Sequence, residues 1–313
     1  MNLRTQRRVK IIFVSFLLIL STIMIYQLPI FPKLGGIDFT SPITSQICNN
    51  LERNDDCLPM FRNFDNKYRV SPLHNLLYCA IEKNLSTLFA AIICLLYDKK
   101  KFLSSGLSVA ENLYEERLCK GKNEYKNIGD VGNLYNLAKF HFILIARDPI
   151  QRFVSGFVDK CIMETRRDKY AKNKCYGCFS NVSCVIEKLA IRAKYFSVKG
   201  GAFSYEDIHF FPQNWHCNLR QNLQRYHVIQ YVEDESSLIQ EIIKIFEKIG
   251  VDMDIINKIM YDLHNKKTPH ATRGNPIRAQ ILNEIYSNKV LLKKVVSLFY
   301  YDYLLFGFKI PAI

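Results

Sequence analysis

Hydrophobic positions along this chain fall into three patterns. The first is an uninterrupted run: Ile11–Phe31 carries no charge and spans about 21 positions, enough to cross a bilayer as a helix. The second is short, apolar and rich in β-branched residues. Leu76–Ile81, His141–Ala146 and His227–Val232 have this form and read as buried strands. The third has helical spacing. After His141–Ala146, Asp148 offers an N-cap and Pro149 suits the first helical position. On that helix Asp148, Arg152, Ser155, Gly156 and Asp159 share one polar face. Ile150, Phe153, Val154, Phe157 and Val158 share the other, which should pack on the sheet. Ser86 or Thr87 can cap a helix to Tyr97 that is apolar on nearly every face, hence buried. Residues 102–138 look largely helical and should bridge the first two strands. Further helices are expected over about Asn181–Phe196, up to Gly250, over about Asp254–Asn265, and finally to about Leu298, before an aromatic close at Tyr300–Phe308. Strands alternating with helices predict an α/β fold, a central parallel sheet flanked by helices.

Length and charge refine this. The 313 residues suit one domain plus an appendage, and 49% hydrophobic content permits a large core. Arg4, Arg7, Arg8 and Lys10 precede the apolar run, so the N-terminus should stay cytoplasmic and the rest lumenal. The run is long for a cleaved signal peptide, and no small-x-small site follows it. The expected organisation is a tail (1–10), a transmembrane signal anchor (11–31), a lumenal stem (32–69) and a domain (70–313). All 10 cysteines lie from Cys48 to Cys217, and their even number fits disulfides in an oxidising lumen, with Cys48 and Cys57 tying down the stem. The other pairings stay open. Cys175, Cys178 and Cys184 lack a fourth cysteine or a His at metal spacing, so no metal is expected. The net charge of +14 calls for an anionic partner. Nucleic acid fits poorly with a lumenal, cysteine-rich domain, which leaves the membrane surface and acidic polysaccharide.

Two stretches carry candidate chemistry. Lys83 stands between the first strand and the Ser86–Thr87 helix start, a loop-to-helix geometry that cradles anions. Arg147 ends the second strand beside another helix start, with a hydroxyl (Ser155) and a bare glycine (Gly156) on its polar face. No GxxxxGK[ST] sequence is present, which argues against a P-loop kinase.

The string RDPIQRFVSGF resembles the 3′-phosphate-binding motif of sulfotransferases that use 3′-phosphoadenosine 5′-phosphosulfate (PAPS). It is similar in particular to the Golgi carbohydrate sulfotransferases of the chondroitin 4-O and HNK-1 type, which include a nematode-expanded branch. The loop at Lys83 resembles that family's 5′-phosphosulfate loop, in the right order and roughly 60 residues upstream. The resemblance spans roughly Val70–Phe308 and implies a P-loop-like sulfotransferase fold and a single-pass type II Golgi protein. PAPS is then the co-substrate, with no metal, and the acceptor an anionic glycan or proteoglycan such as chondroitin; a homo-oligomer stays open. It assigns Lys83 to the leaving phosphate, and Asn84, Leu85, Ser86 and Thr87 to the 5′-phosphate. Arg147 and Ser155 take the 3′-phosphate, and Thr272, Arg273 and Gly274 a loop closing over the nucleotide. Glu206–Cys217 is similar to a family segment near the acceptor, which makes His209 the candidate general base, with His74 and His216 as rivals. Glu82 departs from the family, which commonly has Pro there; a carboxylate beside a phosphate site is unhelpful unless it points away. This leaves a weakened or inactive glycan-binding relative as the alternative. Of the two sequons, Asn84-Leu85-Ser86 should be inaccessible if the loop binds nucleotide, and Asn181-Val182-Ser183 is the better glycan site.

Overall fold

The computed structural model describes residues 48, 57–111, 117–164, 173–231, 235–266 and 274–313. The expected anchor at 11–31, and Thr272 and Arg273, lie outside these. Among the described residues no helix is long and apolar enough to cross a membrane.

Five strands form one sheet: β1 (Tyr68–Ser71), β2 (Leu76–Cys79), β3 (Glu124–Tyr125), β4 (His141–Arg147) and β5 (Tyr226–Tyr231), in the order β3-β1-β2-β4-β5. The three strands expected from sequence are the parallel part, β2-β4-β5. The sheet as a whole is mixed rather than parallel. β1 runs antiparallel to β2 through a turn in which Asn75 adopts a left-handed conformation, and β3 extends that edge antiparallel to β1. β3, at two residues, is too short for periodicity to reveal it.

On one side of the sheet, α1 (Ser86–Tyr97) is buried from Leu88 to Leu96. It packs with α7 (Glu235–Lys248) and α8 (Met253–Asn265) against Leu76, Tyr78, Ile143, Ile145 and Ile229. The 102–138 region is less helical than expected. It holds the end of α2 (Lys99–Ser104), β3, α3 (Ile128–Leu134) and turns, with Cys119 bonded to Cys94 of α1.

The second core joins α4 (Pro149–Phe157), α5 (Val182–Lys199), α6 (Tyr205–Phe210) and three C-terminal helices. The apolar face of α4 meets residues of these helices and of the 58–64 segment rather than the sheet face expected for it. The single final helix anticipated to about Leu298 is two, α9 (Pro276–Ser287) and α10 (Lys289–Leu298), and the aromatic close after it forms α11 (Tyr300–Phe306). Asn288 caps α10 by accepting from the amides of Val290 and Leu291 at 3.1 Å, which ends one helix and starts another. The segment ahead of β1 takes part in this core. Leu58 and Phe64 are buried in it, and Trp215 Nε1 donates to the Pro59 carbonyl at 3.0 Å.

All ten cysteines pair: Cys48–Cys57, Cys79–Cys217, Cys94–Cys119, Cys161–Cys175 and Cys178–Cys184. The Cys175–Cys178–Cys184 cluster is thereby split between two disulfides. Cys79–Cys217 closes a separation of 138 residues and ties the end of β2 to the segment after α6.

Candidate functional site

β2 and β4 are parallel neighbours, so the loops leaving their carboxyl ends emerge side by side. The Arg147 guanidinium donates from Nη1 to the Lys83 carbonyl at 3.1 Å and lies 4.7 Å from the centre of the Tyr231 ring on β5. The two stretches singled out in the sequence are thus in direct contact. Lys83 and Leu85 both take positive φ, 67° and 60°. This turns the loop sharply into α1, whose N-cap is Leu85 with no side-chain cap bond. Ser86 and Thr87 are therefore the first two helical residues and not caps. Leu85 makes no cap bond to the first-turn amides of α1, and the opening N–H groups of a helix have no partner within it, which suits them to an anion.

Asn84 faces the other way. It is fully buried, and its amide donates to the Ile145 carbonyl at 2.8 Å and to Gln213 Oε1 at 2.6 Å. The side chain anchors the loop from beneath, and the sequon is closed to a glycosylating enzyme. Asn181 is exposed and caps α5 through its Oδ1, which accepts from the Cys184 amide at 2.9 Å.

Lys83 points at Asp159, with Nζ 2.6 Å from Oδ2. Burial lowers the pKa of Lys83 most strongly, Asp159 opposes that effect, and Lys160 and Arg147 lower it further. Asp159 and Lys160 lie on a π-helical turn, Val158–Met163, that continues α4. The wider turn departs from the α-helical register used to place Asp159 on one face with Arg152 and Ser155. Lys160 also pairs with Asp159, at 3.2 Å.

Arg152 is not available to a ligand. It is 1% exposed, and its Nε and Nη1 donate to the carbonyls of Glu82 at 3.0 Å and Phe211 at 2.8 Å. The buried guanidinium joins the Lys83 loop to the segment after His209. Ser155 is buried on the same helix. The bareness of Gly156 serves packing rather than phosphate approach: a Cβ there would stand 3.0 Å from the Phe210 ring and 3.4 Å from the His209 carbonyl. Gly274, at φ +78, directly precedes Asn275, the cap of α9.

Glu82 points to Lys67, which also pairs with Asp65. The carboxylate that departs from the family is neutralised within the protein.

The three histidines separate clearly. His74 bonds Ser71 at 3.0 Å and lines a cleft of about 270 Å³ with Leu96, Ile249 and Asp252. His216 is fully buried, with Nδ1 on the Asp65 carbonyl at 2.8 Å. His209 places Nδ1 2.7 Å from the Tyr205 carbonyl, so Nδ1 carries the proton and Nε2 is left as an acceptor. Burial pushes its pKa well below 6.5, and the charges of Lys83, Lys160 and Lys67 push it further. The imidazole is therefore neutral at neutral pH and free to accept a proton at Nε2, as a weaker base than a solvent-exposed histidine.

Histidine burial also predicts a pH dependence of stability. Burial, aided by Arg152, carries the His216 pKa down to about 3. Below pH 6.5 the unfolded chain takes up a proton that the folded chain refuses. Stability is therefore full above that pH and falls as pH drops. At pH 5 the His216 share of the loss is about 2 kcal/mol, and His209 acts in the same direction. Urea unfolding at pH 7 and pH 5 measures it. His216→Asn, which keeps a donor for the Asp65 carbonyl, should remove that share; an unchanged pH dependence would show that His216 protonates freely when folded.

Several residues that hold the site carry no sequence signal. Gln213 Oε1 accepts from the Arg147 amide at 2.9 Å as well as from Asn84, and its Nε2 donates to the Arg147 carbonyl at 2.8 Å. Asp302, buried on α11, accepts from the amides of Gln213 and Asn214 at 2.8 Å. These contacts span 66 to 129 residues of sequence, so local pattern cannot reveal them.

The sulfotransferase family profile matches residues 66–309. The putative sulfotransferase vep-2 of Caenorhabditis elegans is 34% identical over 234 residues, 73% of this chain and 72% of that protein. The carbohydrate sulfotransferase chst-1 of the same organism is 31% identical over 261 residues, 80% of this chain and 78% of its own. An uncharacterised C. elegans protein is 31% identical over 85% of this chain and 75% of its own length. No solved structure matches the chain significantly.

Proposed function

The chain belongs to the sulfotransferase family, and from that membership we propose that it moves a sulfonate group from PAPS to a hydroxyl of an anionic glycan such as chondroitin. The observation that carries this reading is the contact between the two anion loops, Arg147 Nη1 on the Lys83 carbonyl, beside an uncapped helix N-terminus. The chemistry of the donor set fits a ligand with two separate phosphate groups. Lys83 and the opening amides of α1 suit the 5′-phosphosulfate, with Ser86 and Thr87 adding hydroxyls. Arg147 and Ser155 suit the 3′-phosphate.

In the reaction the acceptor oxygen forms a bond to sulfur while the bond from sulfur to the bridging phosphate oxygen breaks. The bonding pair leaves with adenosine 3′,5′-bisphosphate, and Lys83 meets the negative charge that grows there. The acceptor proton passes to His209 Nε2. Placing the two reactants in line is most of the work, as in phosphoryl transfer.

The test is transfer of labelled sulfonate from PAPS to a panel of desulfated glycosaminoglycans. Label in the chondroitin polymer is the expected result. Glu82 is the one residue favouring a catalytically inactive glycan-binding relative, and its pairing with Lys67 weighs against that reading. Tight binding of adenosine 3′,5′-bisphosphate without transfer to any acceptor would establish the inactive relative instead.

The apolar run 11–31 and its basic flank support a type II Golgi membrane protein with a lumenal domain. In sealed vesicles a C-terminal epitope should survive protease until detergent is added. Digestion without detergent would refute the orientation.

A further inference from the structure

The aromatic ring nearest the candidate base is exposed, and the backbone beneath it is unusually well held. Tyr205 is 37% exposed, and its ring centre lies 4.5 Å from that of His209. It opens α6, whose start is a capping box. The Asp207 amide donates to Ser204 Oγ at 3.2 Å, and the Ser204 amide donates to Asp207 Oδ2 at 2.8 Å. Asp207 is itself fully buried and accepts from Arg192 Nη2 at 2.8 Å and from the Tyr176 hydroxyl at 3.1 Å. The same anchoring that seats Phe210 of α6 in the core also fixes the backbone under Tyr205, whose ring does not join that core. Rigid backbone beneath an accessible ring is what a preorganised binding platform requires.

Charged groups surround the ring. Lys160 Nζ lies 5.4 Å from the ring centre, and the Tyr205 hydroxyl donates to Glu164 Oε1 at 2.9 Å. Lys160 follows Asp159, the partner of Lys83. Burial disfavours the charge on Lys160, but Tyr205, Asp159 and Glu164 outweigh burial and its pKa ends raised. An aromatic surface, an ammonium and a carboxylate therefore stand beside His209 on one hand and beside Asp159, the partner of Lys83, on the other, a surface suited to an acceptor sugar.

We propose that Tyr205, with Lys160 and Glu164, forms the acceptor subsite, taking one pyranose ring of an anionic glycan so that its hydroxyl lies against His209 Nε2. The proposal rests on the sulfotransferase reading and specifies its acceptor side. The apolar C–H surface of a sugar packs on the tyrosine. Glu164 accepts from ring hydroxyls, and Lys160 meets a uronate or sulfate on the same or the adjoining sugar. Glycans without that negative charge should bind less tightly.

The test uses calorimetry on the full chain saturated with adenosine 3′,5′-bisphosphate, with a chondroitin hexasaccharide and its carboxyl-reduced, desulfated counterpart as probes. Tyr205→Ala should weaken hexasaccharide binding about tenfold or more, while Tyr205→Trp, which keeps an aromatic surface, should retain most of it. Lys160→Gln should narrow the preference for the charged probe over the neutral one. It leaves the ring in place, so it decides the matter if Tyr205→Ala does not fold. Nucleotide affinity, measured in the same samples, should stay within about twofold for Tyr205→Ala. Unchanged hexasaccharide affinity in folded Tyr205→Ala overturns the proposal, as does wild-type protein that binds nucleotide but neither probe. Wild-type protein that fails to bind nucleotide refutes the sulfotransferase reading instead. Equal loss of both probes in Lys160→Gln overturns the charge-reading role of that residue.

Discussion

Lys83→Ala should lower the rate of sulfonate transfer by about 10²-fold or more, with a much smaller loss of nucleotide affinity. Charge on the bridging oxygen grows only as the sulfur–oxygen bond breaks, so a cation placed there stabilises the transition state more than the bound donor. The environment of Lys83 suits that role. It is largely removed from water, which strengthens its field, and Asp159 at 2.6 Å opposes the lowering of its pKa by burial. The alanine variant should still fold, because Asp159 retains Lys160 at 3.2 Å as a partner. Lys83→Arg should not restore the rate, since a planar fork cannot replace a compact ammonium in a loop turned by two positive-φ residues. Single-turnover rates and calorimetric nucleotide binding, measured together, separate the two effects. Equal losses of rate and affinity would make Lys83 a general anchor of the donor rather than a group acting on the transition state.

Arg147→Ala should weaken binding of adenosine 3′,5′-bisphosphate by roughly 10- to 150-fold, the loss of about 1.5–3 kcal/mol expected for a charge-assisted contact. One donor of its guanidinium is committed to the Lys83 carbonyl, and Tyr231 lies beside it, which together hold the guanidinium at the strand end. The discriminating control is adenosine 5′-phosphate. Wild type should prefer the bisphosphate strongly, and that preference should collapse in the variant. If Arg147→Ala is folded and binds both nucleotides as wild type does, the arginine only ties the two loops together.

Glu82 shows how a residue can mislead when read alone. In the sequence it is a negative charge one position from Lys83, the lysine proposed to meet the phosphosulfate. In the fold its carboxylate turns to Lys67, a residue 15 positions earlier on the approach to β1. Arg152 makes the same point. Helical spacing puts it on a polar face with Ser155, but the opposing surface supplies the carbonyls of Glu82 and Phe211, so its charge is spent on holding loops.

The local code of the sequence was sufficient for the three parallel strands, for the helix start at Asp148–Pro149 and for the buried helix after Ser86. Each is decided by side-chain alternation, capping chemistry or apolar density within a dozen residues. It also singled out the loops at Lys83 and Arg147 as candidates, because loop-to-helix anion cradles are built from contiguous residues. Tertiary structure alone decided that these two loops touch. It also decided which histidine keeps a neutral imidazole in the field of Lys83, and that Asn84 and Gly156 serve packing rather than the ligand. It selected the four disulfide pairs that the sequence left open, and it placed β1 and β3 at the antiparallel edge of the sheet. The physical reason is one of range. A strand of two residues, a cysteine pairing across 138 positions and the burial that depresses a histidine pKa are all set by neighbours distant in the chain, and no local pattern encodes them.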